Sequence, residues 1–178
     1  MAERLRLSFG ADVLSARGVL AVHGAGIDDR DGLQRMGSSL ERRTRGGWLA
    51  QAVASVWRIH TSELVVVDSA RTQAQLLRLR KIAKRSISIH LIATRRALVR
   101  RFNSRLRAGV RDAATYALAT ADPVEADQLR SIADHLIDTT ALSREDVFRR
   151  VLVLLRQHGA NLARIDGPAK RLPRRGPT

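Results

Sequence analysis

Apolar positions repeat along the chain at two periods, and the switches between them mark out the predicted elements. Ala2 to Phe9 places Leu5 and Phe9 four apart and stops at Gly10, which predicts a short helix, followed by a short strand over Ala11 to Leu14. From Asp31 to Arg58, Leu33, Met36, Leu40, Trp48, Leu49, Ala52, Val53 and Val56 recur at helical spacing, and Gly46-Gly47 divides the stretch into two helices. The clearest strand is Glu63 to Asp68, an uninterrupted apolar run that predicts burial on both faces, hence a parallel sheet, and that ends on an acid. A helix over Thr72 to Ala83 and a second parallel strand over Ser86 to Ala93 complete a βαβ unit.

Arg95 to Arg107 reads as a helix with Leu98, Phe102 and Leu106 along one face. After a turn at Asp122-Pro123 come a helix over Val124 to Ala133, a short strand over His135 to Asp138, and a final helix through Leu155. Ser143 caps that helix in a capping-box pattern, with Asp146 where Glu or Gln is usual. From Gly167 the chain is rich in Pro, Gly and Arg, so the expected organisation is one α/β domain over residues 1–165 and a disordered basic tail over 166–178.

Composition narrows the chemistry. The 178 residues, 44% hydrophobic and 3% aromatic, suit one domain with a conventional core. No apolar run approaches the roughly 18 to 20 residues that span a bilayer, and the charged start MAERLRLSFG is unlike a signal peptide, so a cytoplasmic protein is expected. The absence of Cys excludes thiolate metal sites and cysteine nucleophiles. The five His show no metal-ligand spacing, and no G-x-S-x-G elbow is present. His90 and His135 fall in predicted strands and read as core residues, as do Trp48 and Trp57.

The 32 Lys+Arg against 17 Asp+Glu give +15, and the charge is concentrated: Arg71 to Arg111 holds 11 Arg and 2 Lys with no acid, so 13 of the 15 net charges lie in 41 residues. Arg outnumbers Lys 29 to 3, so part of this is compositional. A block without countercharge nevertheless predicts a surface for phosphate, on a nucleotide or on nucleic acid.

Asp68 stands at the carboxyl end of the apolar strand, where open α/β sheets place ligands and where phosphoryl-transfer enzymes organise Mg²⁺. The alternative is that it caps the following helix. Arg71 could fork onto a phosphate from the same crevice, and the Arg95 to Arg107 helix could supply further guanidinium groups.

The ordered series RLSFGADVLSARGVL, LQRMGSSLERRTRGGWL, ELVVVDSAR, IHLIATRRALVRRFNSR and ADHLIDTTALSREDVFRRV resembles the P-loop nucleoside and nucleotide kinases. It is most similar to the kinase-like domain at the front of some bacterial adenylosuccinate synthetase-type proteins, over roughly residues 2 to 155. The resemblance implies a three-layer doubly wound parallel sheet and ATP-dependent phosphoryl transfer to a nucleoside or nucleotide, with Mg²⁺ and ATP bound. By position it implies Asp68 as the metal-organising acid, Arg17, Arg35, Arg43 and Arg71 facing the phosphate acceptor, and Arg101 and Arg105 in a lid over ATP.

One part of the pattern is missing. The only glycine clusters, His23-Gly-Ala-Gly26 and Gly46-Gly47, do not lead into Lys followed by Ser or Thr, so there is no G-x-x-x-x-G-K-[ST] loop. In the family that loop and its strand precede the equivalent of AERLRLSFGADVL, so the expectation is a chain lacking them, started too far downstream or genuinely loop-less. Leu64 to Val67 and Ile87 to Ile92 should then either flank an empty slot or close up. Two other readings remain open: a basic nucleic-acid-binding or regulatory protein, and a non-catalytic partner of a purine-metabolism enzyme.

Overall fold

The computed structural model describes residues 1–24, 30–59, 64–107 and 123–159. The expected basic tail, the Asp122 half of the predicted turn and the Arg111 end of the basic block lie outside them.

In chain order the elements are α1 (Ala2–Phe9), β1 (Asp12–Ser15), α2 (Ala16–Val22), α3 (Arg30–Thr44), α4 (Gly47–Ile59), β2 (Val65–Asp68), α5 (Gln73–Ile82), β3 (Ile89–Ile92), α6 (Arg95–Arg107), α7 (Pro123–Ile132), β4 (His135–Asp138) and α8 (Arg144–Gln157). Gly10 stops α1 at φ 60°, a left-handed cap that glycine adopts without a Cβ penalty. Gly46, at φ 77°, separates α3 from α4. Ser143 and Asp146 form both hydrogen bonds of the capping box, so the shorter acid serves. Helix α2 carries too few apolar repeats to announce itself; its signal is Ser15, whose hydroxyl accepts from the Gly18 N–H as N-cap.

The strands pair as two parallel two-stranded sheets. β1 pairs with β2, Asp12 opposite Val65 through Ser15 opposite Asp68. β3 pairs with β4, Ile89 opposite His135 through Ile92 opposite Asp138. Among the described residues β2 and β3 do not pair with each other. A cleft of about 1720 Å³ is lined by residues 64–70 on one side and 86–91 on the other. Of the two sequence expectations for these strands, the open slot is the one found.

Two apolar clusters hold the layers. Leu14, Leu20, Leu40, Trp48, Leu49 and Val53 form one, with Val65 and Val67 packed against it. Leu5, Ile137, Phe148, Val151 and Leu155 form the other, joined by Val66 and Ile89. Successive β2 side chains thus enter different clusters, as the two-residue period of a strand covered on both faces requires. The three valines are nevertheless only half-buried, because β2 opens along one edge onto the cleft. Arg4 ties α1 to α8, lying 3.8 Å from the Phe148 ring centre and 2.9 Å from Glu145.

Helix α6 keeps its predicted face at the half-buried Phe102, departs from it at Leu98, and has the Leu106 side chain outside the described residues. Leu98 remains 38% exposed and the buried position is Ala97. One turn further, Arg101 turns inward, because the end of β4 offers its guanidinium two oxygens of Thr139.

Candidate functional site

The carboxyl ends of the strands carry Ser15, Asp68, Ile92 and Asp138, and the chain turns after each of them into irregular segments or helix N-termini. In a parallel sheet this edge is where loop side chains gather over a ligand.

Asp68 is exposed and lines the cleft. It does not cap α5: Thr72 does, its hydroxyl accepting from the Gln75 N–H at 3.2 Å. The hydroxyl of Ser69 donates to Asp68 Oδ1 at 3.3 Å, and Ser69 itself adopts φ 73°. A side chain in the left-handed region is strained, typically by about 1–3 kcal/mol, and persists where its surroundings hold it.

A network with little trace in the sequence holds the turn after Asp68. Glu41 of α3 accepts from the Trp48 indole N–H at 2.9 Å, the Thr72 hydroxyl at 2.6 Å and the Gln75 side-chain amide at 2.8 Å. Gln75, 4% exposed, uses its oxygen to accept from the Arg71 main-chain N–H at 2.8 Å. Gly46 sits against the start of α5 so closely that a Cβ there would lie 2.7 Å from the Ala74 Cβ. The segment Ser69 to Thr72 is therefore clamped by α3, α4 and α5. Its only sequence signal is Thr72-x-x-Gln75, a capping-box spacing.

Arg71 extends from this segment as an exposed side chain. Arg17 is exposed at the start of α2, two residues beyond the Ser15 cap, and Arg35 and Arg43 are exposed on α3. Arg101 is half-buried, hydrogen-bonded to the Thr139 hydroxyl at 3.0 Å and to the Thr139 carbonyl. Arg105 lies in α6, and its side chain is outside the described residues. The topology thus brings Asp68, Arg71 and Arg17 to the β1–β2 end and Arg101 to the β3–β4 end, with the cleft between the two sheets.

Asp138 and Thr140 are further polar groups at this edge. Asp138 accepts from the Thr140 N–H at 2.8 Å, and Thr140 Oγ1 accepts from the Thr94 N–H at 2.9 Å. Hydrogen bonding from Thr140, helped by Arg101 and Arg150, holds the Asp138 carboxyl below the usual range. At the opposite edge His135 Nε2 and His158 Nε2 approach to 2.8 Å, so His135 has a partner at the C-cap of α8 instead of an apolar setting. His90 lines the cleft, and burial, then Arg130, push its pKa down and favour the neutral ring.

Among the described residues there is no group of three or more His, Asp or Glu that would hold a metal ion by itself. An exposed carboxylate such as Asp68 fits a different use, since Mg²⁺ is usually held by one or two carboxylates together with water and substrate phosphates. No described helix is long and apolar enough to cross a membrane.

No protein-family model matches the sequence, and no curated protein matches it. Among solved structures, the chain is similar to a putative kinase from Chloroflexus aurantiacus, with a TM-score of 0.52 and 22% identity over 88% of this chain and 86% of that one. What the two share at this identity is fold, and the chain is a mixed α/β protein with small parallel sheets.

Proposed function

We propose that this chain is a nucleotide-binding domain of the doubly wound P-loop kinase type, akin to the domain associated with adenylosuccinate synthetase-type proteins. With a phosphate-gripping loop supplied ahead of α1, it would transfer the γ-phosphoryl of ATP to a nucleoside or nucleotide. The observation that carries this reading is Asp68, an exposed carboxylate at the carboxyl end of a parallel strand, followed by a strained turn clamped from three helices.

In this reading Asp68 would organise Mg²⁺, indirectly through water, and the chemistry the ion would supply is neutralisation of phosphate charge. Arg71 forks onto a phosphate from the clamped turn, with Arg17, Arg35 and Arg43 on the acceptor side. Arg101 keeps one face on Thr139 and offers its remaining N–H groups, and Arg105 adds a second guanidinium to the same lid. The clamp from Glu41 and Gln75 sets the turn before ligand arrives, which lowers the ordering cost of binding.

The test uses the chain extended ahead of Met1 by a strand and a G-x-x-x-x-G-K-[ST] loop. Phosphoryl transfer from ATP is expected there, and Asp68→Asn is expected to lower turnover by orders of magnitude, on the order of 100-fold or more, with melting unchanged. Equal turnover in the variant, or none in the extended parent, overturns the reading.

A second reading is favoured by α6. Arg95, Arg96 and Arg100 are exposed there, inside a stretch from Arg71 to Arg107 that contains no acid. Such a face suits the phosphodiester backbone of nucleic acid.

A further inference from the structure

Two histidines distant in the chain meet at the amino end of β4, away from the carboxyl ends where Asp68 and Asp138 stand. His135 opens β4 and His158 is the C-cap of α8, 23 positions further on. Their Nε2 atoms approach to 2.8 Å, with ring centres 5.0 Å apart and ring planes at 68°. His135 is half-buried on a paired strand and His158 is exposed, so the pair is anchored on one side and open to solvent on the other.

As a hydrogen bond, this contact has one ring donating its Nε2–H and the other accepting at its Nε2 lone pair. When the donor ring carries its proton on Nδ1 instead, both Nε2 lone pairs face the same small space. The pair is then a neutral two-nitrogen ligand, the form of imidazole that binds metal ions.

Two metal–nitrogen bonds of about 2.0–2.1 Å meeting at a right angle place the nitrogens about 2.9 Å apart, and at the tetrahedral angle about 3.3 Å. The observed 2.8 Å lies nearer the right angle, which square-planar and tetragonal ions use. With centres 5.0 Å apart the rings aim nearly at each other, so coordination requires each to turn until the lone pairs converge. The outer torsion of a histidine side chain is broad, and such a turn costs little.

The surroundings select the ion. His158 stands where the carbonyl ends of α8 gather partial negative charge, which favours a cation. Arg85 opposes it, since its Nη1 lies 3.4 Å from where a Cβ on Gly159 would be. A hard ion such as Mg²⁺ or Ca²⁺ requires oxygen ligands, and the carboxylate of the adjoining Asp134 is already engaged by Ser88 and Arg80. Cu²⁺ and Ni²⁺ bond to imidazole nitrogen and tolerate water in their other positions.

We propose that His135 and His158 form a two-histidine site for a divalent transition-metal ion of tetragonal preference, Cu²⁺ or Ni²⁺, completed by water. The bound ion ties the end of α8 to the start of β4. The site is separate from the Mg²⁺ of the nucleotide reading and needs neither ATP nor Asp68.

The experiment uses the full chain with Ni²⁺ alone, in a buffer without chelating groups. An ion that binds the folded pair at about 100 μM is expected to raise Tm by at least about 3 °C. Mg²⁺ at the same concentration should leave Tm unchanged. His135→Gln and His158→Gln are each expected to abolish the Ni²⁺ shift, while His23→Gln keeps it, because the His23 ring is engaged elsewhere, with Nδ1 2.9 Å from the Val19 carbonyl. No shift in the parent, an equal shift with Mg²⁺, or a shift that survives in His158→Gln overturns the proposal. Should His135→Gln fail to fold, the exposed His158 decides alone. Cu²⁺ bound to the parent provides a second measurement: its electron paramagnetic resonance should show coupling to two imidazole nitrogens, and coupling to fewer overturns the proposal equally.

Discussion

Asp134 shows how much one side chain can organise at a residue with no catalytic pattern around it. Its carboxylate accepts from the Ser88 main-chain N–H at 2.7 Å, the Ser88 hydroxyl at 2.6 Å and Arg80 at 2.7 Å, joining α5, the start of β3 and the end of α7. Burial pushes its pKa up, but hydrogen bonds from Ser88 and the Arg80 guanidinium outweigh that and bring it from 3.8 down to about 2. A depressed carboxyl pKa contributes stability that is present above the unfolded value and is lost as pH falls from about 4 toward 2. With 37% of the side chain exposed, solvent screening reduces the contribution to about 1 kcal/mol. Asp134→Asn is therefore expected to lower stability by about 1 kcal/mol at pH 7, with the difference shrinking toward pH 2, as read by urea unfolding across that range. A constant difference at every pH would show that the charge is not the cause. Neither Asp134 nor Glu41 stands out in the sequence, because Asp134 binds Ser88 and Arg80, and Glu41 binds Thr72 and Gln75 besides the nearby Trp48, across 31 or more residues of chain.

At the scale of elements, the junction of α3, α4 and α5 decides where the turn after Asp68 sits. Removing Glu41 leaves the Trp48 indole and the Gln75 amide without their acceptor in a partly buried setting, and an unsatisfied buried donor costs about 1–3 kcal/mol. Glu41→Ala is expected to destabilise the fold by about 2–3 kcal/mol and to change the emission of Trp48, checked by fluorescence-monitored urea unfolding. Unaltered stability would mean that the three donors find other partners. Most elements are legible in the amino-acid pattern: α1, α6 and β4 match the predicted spans residue for residue, and Gly10, Gly46 and Ser143 punctuate helices where their chemistry predicts. The strands of the βαβ unit come out shorter, Val65–Asp68 and Ile89–Ile92, because only those residues stand in register opposite a residue of β1 or β4. At Leu98 and Ala97, α6 differs from the predicted face because amphipathic spacing ranks Leu above Ala and Arg, whereas the space beside Thr139 takes a forked donor.

For the whole molecule, the concentration of positive charge separates the two functional readings. A phosphodiester-binding surface releases counterions, so affinity for duplex DNA should fall by about 1000-fold or more between 50 and 200 mM salt if six or more phosphates are engaged. A salt titration followed by fluorescence anisotropy measures this. Binding that is absent at 50 mM salt, or flat across the titration, removes the nucleic-acid reading and leaves the nucleotide one.

Taken alone, the sequence determines the α/β class, the order of elements, the basic block and the acid at the end of an apolar strand. These are local properties: side-chain period, turn chemistry and charge count do not depend on what lies across the molecule. Tertiary structure decides that Thr72 and not Asp68 caps α5, that Arg101 rests on Thr139, and that β2 and β3 stand on opposite sides of a cleft. Each of those outcomes depends on which distant groups compete for the same donors, acceptors and apolar space, and that competition exists only once the chain has folded.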